Sequence, residues 1–166
     1  MNGDNIPDVK SMSDADLSAL CDKLRNKIIE TVMKNGGHLS SNLGMVELTV
    51  ALHYVFDFPK DKVIYDVGHQ CYTHKLLSGR ADKFDTLRKL GGISGFPKRE
   101  ESEYDCYNTG HAGTSISAAL GIAKARDIKG EDFNVIAVIG DGSFNNGLVY
   151  EAFNSVSEIN SNILII

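Results

Sequence analysis

The stretch that decides the fold is residues 134–166, NVIAVIGDGSFNNGLVYEAFNSVSEINSNILII. Residues 134–139 and 162–166 are apolar and rich in β-branched side chains, which is typical of strands. Residues 148–159 are predicted to be helical, and a Gly-Asp-Gly turn at residues 140–142 follows the first strand. Strand, helix and strand make a βαβ unit, and strands this apolar are normally parallel and covered on both faces. The sequence therefore predicts an α/β fold with a mostly parallel sheet flanked by helices.

Upstream of this unit the sequence predicts mainly helices. Ser13 and Asp16 form a capping box, which indicates a helix that begins there and ends at the glycine pair of residues 36–37. We expect Val55 and Ile128 to be among the buried residues of the later helices. The other expected elements are a helix over residues 44–56, a strand over 63–66, short helices over 72–77 and 83–90, and a helix over 114–129. Residues 1–12 are expected to be a flexible leader and residues 13–166 one domain.

Composition disfavours several classes of function. The 166 residues carry 17 Lys and Arg against 22 Asp and Glu, a net charge of −5, and an acidic chain without a basic run is a poor nucleic-acid binder. The apolar runs are too short to span a bilayer, and the polar N-terminus shows no secretory signal. Cys21, Cys71 and Cys106 are too widely spaced for a metal site and are expected to be reduced thiols. We therefore expect a cytoplasmic protein that binds neither nucleic acid nor membranes.

The Gly-Asp-Gly turn at residues 140–142 is the first candidate site. It lies where a parallel strand ends and a helix begins, which is the edge at which open α/β sheets bind ligands. Glycine lets a ligand approach the backbone, and the unpaired N–H groups of the following helix suit a phosphate. Asp141 could hold a hard divalent cation such as Mg²⁺. The same tripeptide also serves as a plain strand-to-helix turn, and spacing alone leaves both interpretations open.

Three of the five histidines stand beside glycine in predicted loops, namely His38, His69 and His111. A histidine in this setting can approach a ligand closely and titrate near neutral pH, although any one of them alone is more often structural. His53 lies within a predicted helix and is expected to be structural. His74 follows His69 by five residues, a spacing that does not favour a zinc pair on one helical face.

Several stretches, taken in order, carry a resemblance to a known family. They are residues 37–44 (GHLSSNLG), 46–56 (VELTVALHYVF), 66–70 (DVGHQ), 95–99 (GFPKR) with 101–105 (ESEYD), 110–111 (GH) with 114–119 (TSISAA), and 138–142 (VIGDG) with 150–152 (YEA). From about residue 17 to its end, the chain resembles the thiamin-diphosphate-dependent 1-deoxy-D-xylulose-5-phosphate synthases. Transketolases share the Gly-Asp-Gly pattern, but the stretches at 66–70 and 95–105 are similar to those of the synthases.

The resemblance implies a thiamin-diphosphate-binding fold and a role for individual residues. His38 and His69 are the implied catalytic residues, and His38 would face the substrates as a proton donor or acceptor for their oxygens. Asp141 would be a ligand of Mg²⁺. The implied cofactor-binding residues are His69, Gly110, His111 and Ala112 along the cofactor, with Gly142 and Ser143 presenting backbone groups to its diphosphate.

The resemblance also implies the reaction. It would be that of a transketolase-type transferase, which converts pyruvate and glyceraldehyde 3-phosphate into 1-deoxy-D-xylulose 5-phosphate and CO₂ with thiamin diphosphate and Mg²⁺. The product would serve isoprenoid synthesis and, in this family, thiamin synthesis as well. A homodimer is implied as the assembly.

The chain departs from the family pattern at two places. Ala112 replaces a serine that the family usually has, so a side-chain contact there is lost while a backbone contact remains available. Residues 143–146 (SFNN) are bulkier and more polar than the small residues and threonine usual in the family. Phe144 and Asn145 either crowd the diphosphate or cap the following helix.

The expected domain is incomplete at its C-terminal end. The family's cofactor motif closes with an Asn after the next parallel strand, and the sequence stops on that strand at Ile166. The family's middle and C-terminal domains are also absent from the sequence. We therefore expect a truncated N-terminal domain that is inactive when isolated. The alternatives are the diphosphate-binding subunit of a split transketolase-like enzyme, which needs a partner chain, and a non-catalytic binding or regulatory descendant.

Overall fold

Three parallel strands form the sheet of the computed structural model, which describes residues 7–166. The strands are β1 (Lys62–Tyr65), β2 (Val135–Val138) and β3 (Leu164–Ile165), and they pair in that order. In the register, Lys62 lies beside Val135, and Ile136 lies beside Leu164. All four residues of β2 are buried, as expected for the central strand of a covered parallel sheet. The parallel sheet predicted from residues 134–166 is thereby confirmed.

The described residues divide into two compact units. The first comprises residues 7–57 and 69–95 and is helical, whereas the second comprises residues 58–68 and 96–166 and contains the sheet. The expected domain bounds, a leader over 1–12 and a domain over 13–166, stay a prediction. Residues 1–6 of that leader lie outside the described residues, and residues 9–11 form a 3₁₀ turn in which Val9 is buried.

The first unit is built on a long capped helix, α1 (Asp14–Asn35). The Ser13 hydroxyl oxygen accepts a hydrogen bond from the Asp16 backbone N–H at 3.3 Å, and the same hydroxyl donates to the Asp16 carboxylate at 2.6 Å. Gly36 ends the helix with a φ of 73°, a conformation that favours glycine. The capping box and the helix end are therefore as the sequence predicts. The other elements of this unit are α2 (Leu39–Leu43), α3 (Val46–Val55), α4 (Tyr72–Leu77) and a 3₁₀ turn at Phe84–Thr86.

The helix predicted over residues 44–56 is confirmed as α3, whereas the sequence did not predict α2. Two other expectations in the first unit were wrong. Val55 at the end of α3 is 65% exposed. The helix over residues 83–90 is only the 3₁₀ turn, because Arg88 adopts a φ of 63° and its N–H bonds to the Ile93 carbonyl at 2.8 Å. That left-handed residue ends helical geometry before a second turn can form.

The second unit adds three helices to the sheet, α5 (Ser115–Lys129), α6 (Asp141–Phe144) and α7 (Gly147–Ile159). Helix α5 packs on β1 and β2 and against α7. The core comprises Ile64, Ile116, Ala119, Leu120, Ala123, Val135, Ala137, Val149 and Ala152. Small residues on α5 allow its close approach to the sheet. Ile128 is 76% exposed, contrary to expectation, because it lies in the last turn of α5 beyond the sheet-facing residues.

A buried histidine pair joins two helices of the first unit. His53 on α3 and His74 on α4 are hydrogen-bonded through Nε2 and Nδ1 at 2.9 Å, and each is at most 8% exposed. Burial, followed by the nearby His74 and Arg80, lowers the pKa of His53 from 6.5 to about 2. The expectation that His53 is structural agrees with this arrangement.

This pair makes the stability of the fold pH-dependent. Below pH 6.5 the unfolded chain protonates His53 while the folded chain does not, so the free energy of unfolding falls as pH falls. The loss should approach about 1.4 kcal/mol per pH unit between pH 6 and 4. Urea unfolding of wild type and His53→Gln across pH 4–7.5 checks this, because the variant should lack that part of the slope. The exposed His111→Gln is the control, and equal slopes in wild type and His53→Gln would contradict the prediction.

Candidate functional site

A buried carboxylate organises the carboxyl edge of the sheet in the second unit. Asp66 directly follows β1 and is 1% exposed. Its two oxygens accept hydrogen bonds from the backbone N–H groups of Gly113 at 2.8 Å and Ser115 at 3.0 Å. These bonds satisfy N–H groups at the start of α5 and hold residues 110–114 at the end of β1.

A second polar side chain joins this loop to the one after β2. The Asn146 amide oxygen accepts from the Leu148 N–H at 3.0 Å and so caps α7, while its amide nitrogen donates to the Ala112 carbonyl at 3.5 Å. Gly113 has a φ of 84°, and an added Cβ there would lie 2.8 Å from Asn146 Cγ. Residues 110–113 and the start of α7 therefore lie against each other.

The Gly-Asp-Gly segment, predicted as a turn, begins a short helix. Gly140 is the N-cap of α6, and Asp141 is its first residue, with an exposed side chain. A Cβ added at Gly110, Gly140 or Gly142 would meet no atom within 4 Å from the rest of residues 7–166, chain neighbours apart. Gly140 has φ −79° and ψ 157°, which any residue can adopt. The fold therefore does not require glycine at these positions, and the space beside their backbone is open to a ligand.

One of the bulky residues after the Gly-Asp-Gly segment, Phe144, contacts α7. The ring of Phe144 packs edge-on against that of Phe153 on α7, with centroids 5.8 Å apart. Asn146, next to the residues whose role was left open, is the helix cap. Neither Phe144 nor Asn145 caps α7, because Asn146 does so, and crowding of the diphosphate by those two residues stays a prediction.

The two candidate catalytic histidines lie together in the first unit. Their rings meet edge to face, with centroids 5.0 Å apart and an interplanar angle of 66°. His38 is exposed at the N-cap of α2, and His69 is half-buried. The Asn42 side-chain amide donates to the backbone carbonyls of both residues. The sequence predicted neither this contact nor a role for Asn42.

The predicted site residues thus fall into two clusters, each within one unit. His38 and His69 form the cluster of the first unit. The cluster of the second unit comprises Gly110, His111, Ala112, Asp141, Gly142 and Ser143, all of them exposed or half-buried.

Other kinds of site find little support in the described part of the chain. Within residues 7–166 there is no group of three or more His, Cys, Asp or Glu side chains that could hold a metal ion. No helix in that range is long and apolar enough to cross a membrane. Burial raises the pKa of the Cys106 thiol to about 11, which makes it a poor nucleophile at neutral pH.

Comparison with known proteins places the chain in a family. The model of the family described as 1-deoxy-D-xylulose-5-phosphate synthase matches residues 2–166. The chain belongs to the 1-deoxy-D-xylulose-5-phosphate synthase family. It is 59% identical over 159 residues to the synthase of Dictyoglomus turgidum and 57% identical over 162 residues to that of Clostridium tetani. These matches cover 96% and 98% of the chain, but the chain spans only 26% of either relative.

Solved structures of transketolases share the fold of this synthase-family chain. Transketolase from Campylobacter jejuni matches with a TM-score of 0.77 at 21% identity, over 93% of this chain and 28% of that one. A transketolase variant from Pichia stipitis also gives 0.77, at 22% identity, over 92% of this chain and 26% of its own. The predicted α/β fold of the thiamin-diphosphate-binding type is therefore confirmed as a transketolase-like fold.

Two organising residues of this synthase-family chain, Asp66 and Asn42, are not among the site residues that the sequence predicts. A signal for Asp66 was available, because it is an ionisable residue directly after a buried strand and must find partners there. For Asn42 the signal was its spacing of four residues from His38, which places the two one helical turn apart. Its bond to residue 69 depends on tertiary structure and has no signature in the sequence.

We predict that Asp66→Ala lowers the free energy of unfolding by about 3 kcal/mol, because two buried N–H groups lose a charged acceptor. Amide hydrogen exchange at residues 113 and 115 should accelerate in parallel. Asp66→Asn, which keeps one acceptor oxygen, should lose less. The exposed Asp132→Ala in the same unit is the control, with a change of less than about 0.5 kcal/mol. Equal stability and exchange in Asp66→Ala and the control would contradict the assigned role.

Proposed function

We propose that the chain is the N-terminal, diphosphate-binding part of a 1-deoxy-D-xylulose-5-phosphate synthase. The reaction would convert pyruvate and glyceraldehyde 3-phosphate into 1-deoxy-D-xylulose 5-phosphate and CO₂, which supplies isoprenoid synthesis. The observation that carries the proposal is the family match over residues 2–166, together with 59% identity to a curated synthase. A contribution to thiamin synthesis finds no support in these matches, and we do not propose one.

The second-unit cluster suits thiamin diphosphate and Mg²⁺. Open backbone at Gly142 and at Gly110 leaves room for phosphate oxygens beside main-chain N–H groups. The exposed carboxylate of Asp141 has the hard oxygen donors that Mg²⁺ prefers. When bound, the cofactor would supply a thiazolium that stabilises carbanions. Ala112 has no hydroxyl, so its contribution is limited to the backbone.

The two histidines of the first unit are proposed to handle protons. A neutral imidazole carries one donor and one acceptor nitrogen, so His38, whose side chain is exposed, can give or take a proton at a substrate oxygen. The edge-to-face contact with His69 restricts the orientation of its ring. We assign His69 to contact with the cofactor as well as to catalysis.

The activity is proposed for a longer protein than these 166 residues. The chain spans 26% of its curated relatives, so most of the length of a synthase lies outside it. The isolated chain is proposed to be inactive, the whole enzyme to be a homodimer, and its location to be cytoplasmic. These three statements stay predictions.

The test of the proposed function is product formation by the full-length synthase that contains this chain. It should convert pyruvate and glyceraldehyde 3-phosphate only when both thiamin diphosphate and Mg²⁺ are added. Gly142→Ala should raise the thiamin diphosphate concentration for half-maximal activity by about tenfold or more, because the new methyl group occupies the space beside the backbone.

Matched variants separate cofactor contact from folding in that test. Gly142→Ala and Gly121→Ala both add a methyl group to open space, so both should leave the thermal midpoint unchanged or raise it slightly. Only Gly142→Ala should raise the thiamin diphosphate concentration that gives half-maximal activity. If both variants reach half-maximal activity at the same thiamin diphosphate concentration, the assignment of residue 142 is contradicted. If the wild type forms no product, the proposed function is contradicted.

The isolated chain provides a further prediction. In calorimetric titrations with Mg²⁺ and thiamin diphosphate, the 166-residue chain should bind weakly or not at all, and it should form no product. Its circular dichroism spectrum recorded in parallel establishes that the chain is folded. Submicromolar binding by this chain would contradict the proposal that cofactor binding requires the rest of the enzyme.

A further inference from the structure

The side chain of Asn42 is completely buried in the first unit, with 0% of its surface exposed. Its amide nitrogen donates to the His38 carbonyl at 2.6 Å and to the His69 carbonyl at 2.8 Å. Its amide oxygen accepts from the Tyr72 backbone N–H at 2.9 Å. One side chain therefore binds three backbone groups from two distant parts of the sequence.

Contacts between Tyr72 and residues 37–38 restrict the positions of the backbone groups that Asn42 binds. The His38 backbone N–H lies 3.5 Å from the Tyr72 hydroxyl, so Tyr72 contacts both Asn42 and the segment that bears His38. Gly37 has a φ of 143°, and a Cβ added there would lie 2.8 Å from the same hydroxyl oxygen. The close packing of Gly37 on Tyr72 brings the two histidine-bearing segments within reach of one amide.

A primary amide is the group that meets these requirements. It offers two N–H donors and an acceptor oxygen in one plane, whereas a carboxylate has no donor and a hydroxyl has only one. Glutamine has the same amide but is longer by a methylene group, for which a fully packed site has no room. Asparagine is thus the residue that can join both carbonyls and the Tyr72 N–H at once.

We propose that Asn42 is a positioning residue for the reaction, because it fixes the separation of the His38 and His69 backbones and so directs both rings. The proposal rests on the proposed function, in which the two histidines contact substrate and cofactor. A shift of about 1 Å in a reacting group can cost 10²-fold in rate, so loss of this amide reduces turnover without removing any catalytic group.

The test uses the full-length synthase with thiamin diphosphate and Mg²⁺ at saturation. Asn42→Ala should lower kcat by at least about tenfold, with less than a threefold change in the KM of pyruvate. Asn42→Asp keeps the shape and the acceptor for the Tyr72 N–H but loses both donors, and it should also lower kcat. It serves as the second variant in case Asn42→Ala does not fold, and circular dichroism at the assay temperature establishes that each variant is folded.

A double-mutant cycle with His38→Ala separates positioning from general destabilisation. If Asn42 acts through His38, the combined variant loses much less than the product of the two single losses. Ser78→Ala is the control, because Ser78 is also buried in the first unit and bonds to the His74 carbonyl at 2.6 Å. It should change kcat by less than about twofold and combine multiplicatively with His38→Ala.

Three outcomes decide the proposal. A non-multiplicative cycle for Asn42 with a multiplicative one for Ser78 supports it. If the wild type is active and the folded Asn42 variants have the same kcat, the positioning role is overturned. A multiplicative Asn42 cycle overturns it as well, and in both cases the proposed function is left intact. A wild-type enzyme without thiamin-diphosphate-dependent activity overturns the proposed function itself, and the positioning role with it.

Discussion

The carboxylate of Asp66 holds two backbone N–H groups at the end of β1, and the second unit depends on these two bonds. They place Gly113 and the start of α5 against the sheet edge, and they leave Asp66 without exposure to water. Asn146 then attaches the segment after β2 to the same loop through the Ala112 carbonyl. Asp66 and Asn146 thus hold both loops by their backbones, and the backbone beside Asp141, at Gly140 and Gly142, has open space next to it.

In the first unit a neutral side chain, that of Asn42, likewise binds backbone groups of loops. Asn42 is buried and bonded to the carbonyls of His38 and His69, as Asp66 is bonded to N–H groups. In both units a buried polar side chain binds backbone groups of a loop, and the residues with candidate chemistry lie in that loop with exposed or half-buried side chains. Such anchoring suits a binding site, because a loop held by its backbone keeps its side chains free for a ligand.

Local patterns in the sequence predicted much of this structure, and tertiary contacts explain the rest. The βαβ unit, the capping box at Ser13 and helix α4 depend on periodicity and local turn chemistry, so they could be predicted. The left-handed conformation of Arg88 and the exposure of Val55 depend on packing with distant residues and could not. Local patterns made Asp141 and the histidines at 38, 69 and 111 candidates, and the family resemblance implied the other site residues. Most of the bonds that position them connect residues far apart in the chain and leave no local pattern.

The central claim is that this chain supplies the metal and diphosphate contacts of a thiamin-diphosphate enzyme. A crystal structure of the full-length synthase with thiamin diphosphate and Mn²⁺ in place of Mg²⁺ tests it most directly, because anomalous scattering locates Mn²⁺. We predict Mn²⁺ at about 2.1 Å from an Asp141 carboxylate oxygen, with the diphosphate against the backbone of residues 142–143 and 110–112. A metal bound elsewhere, with residues 140–143 free of the diphosphate, would contradict the claim.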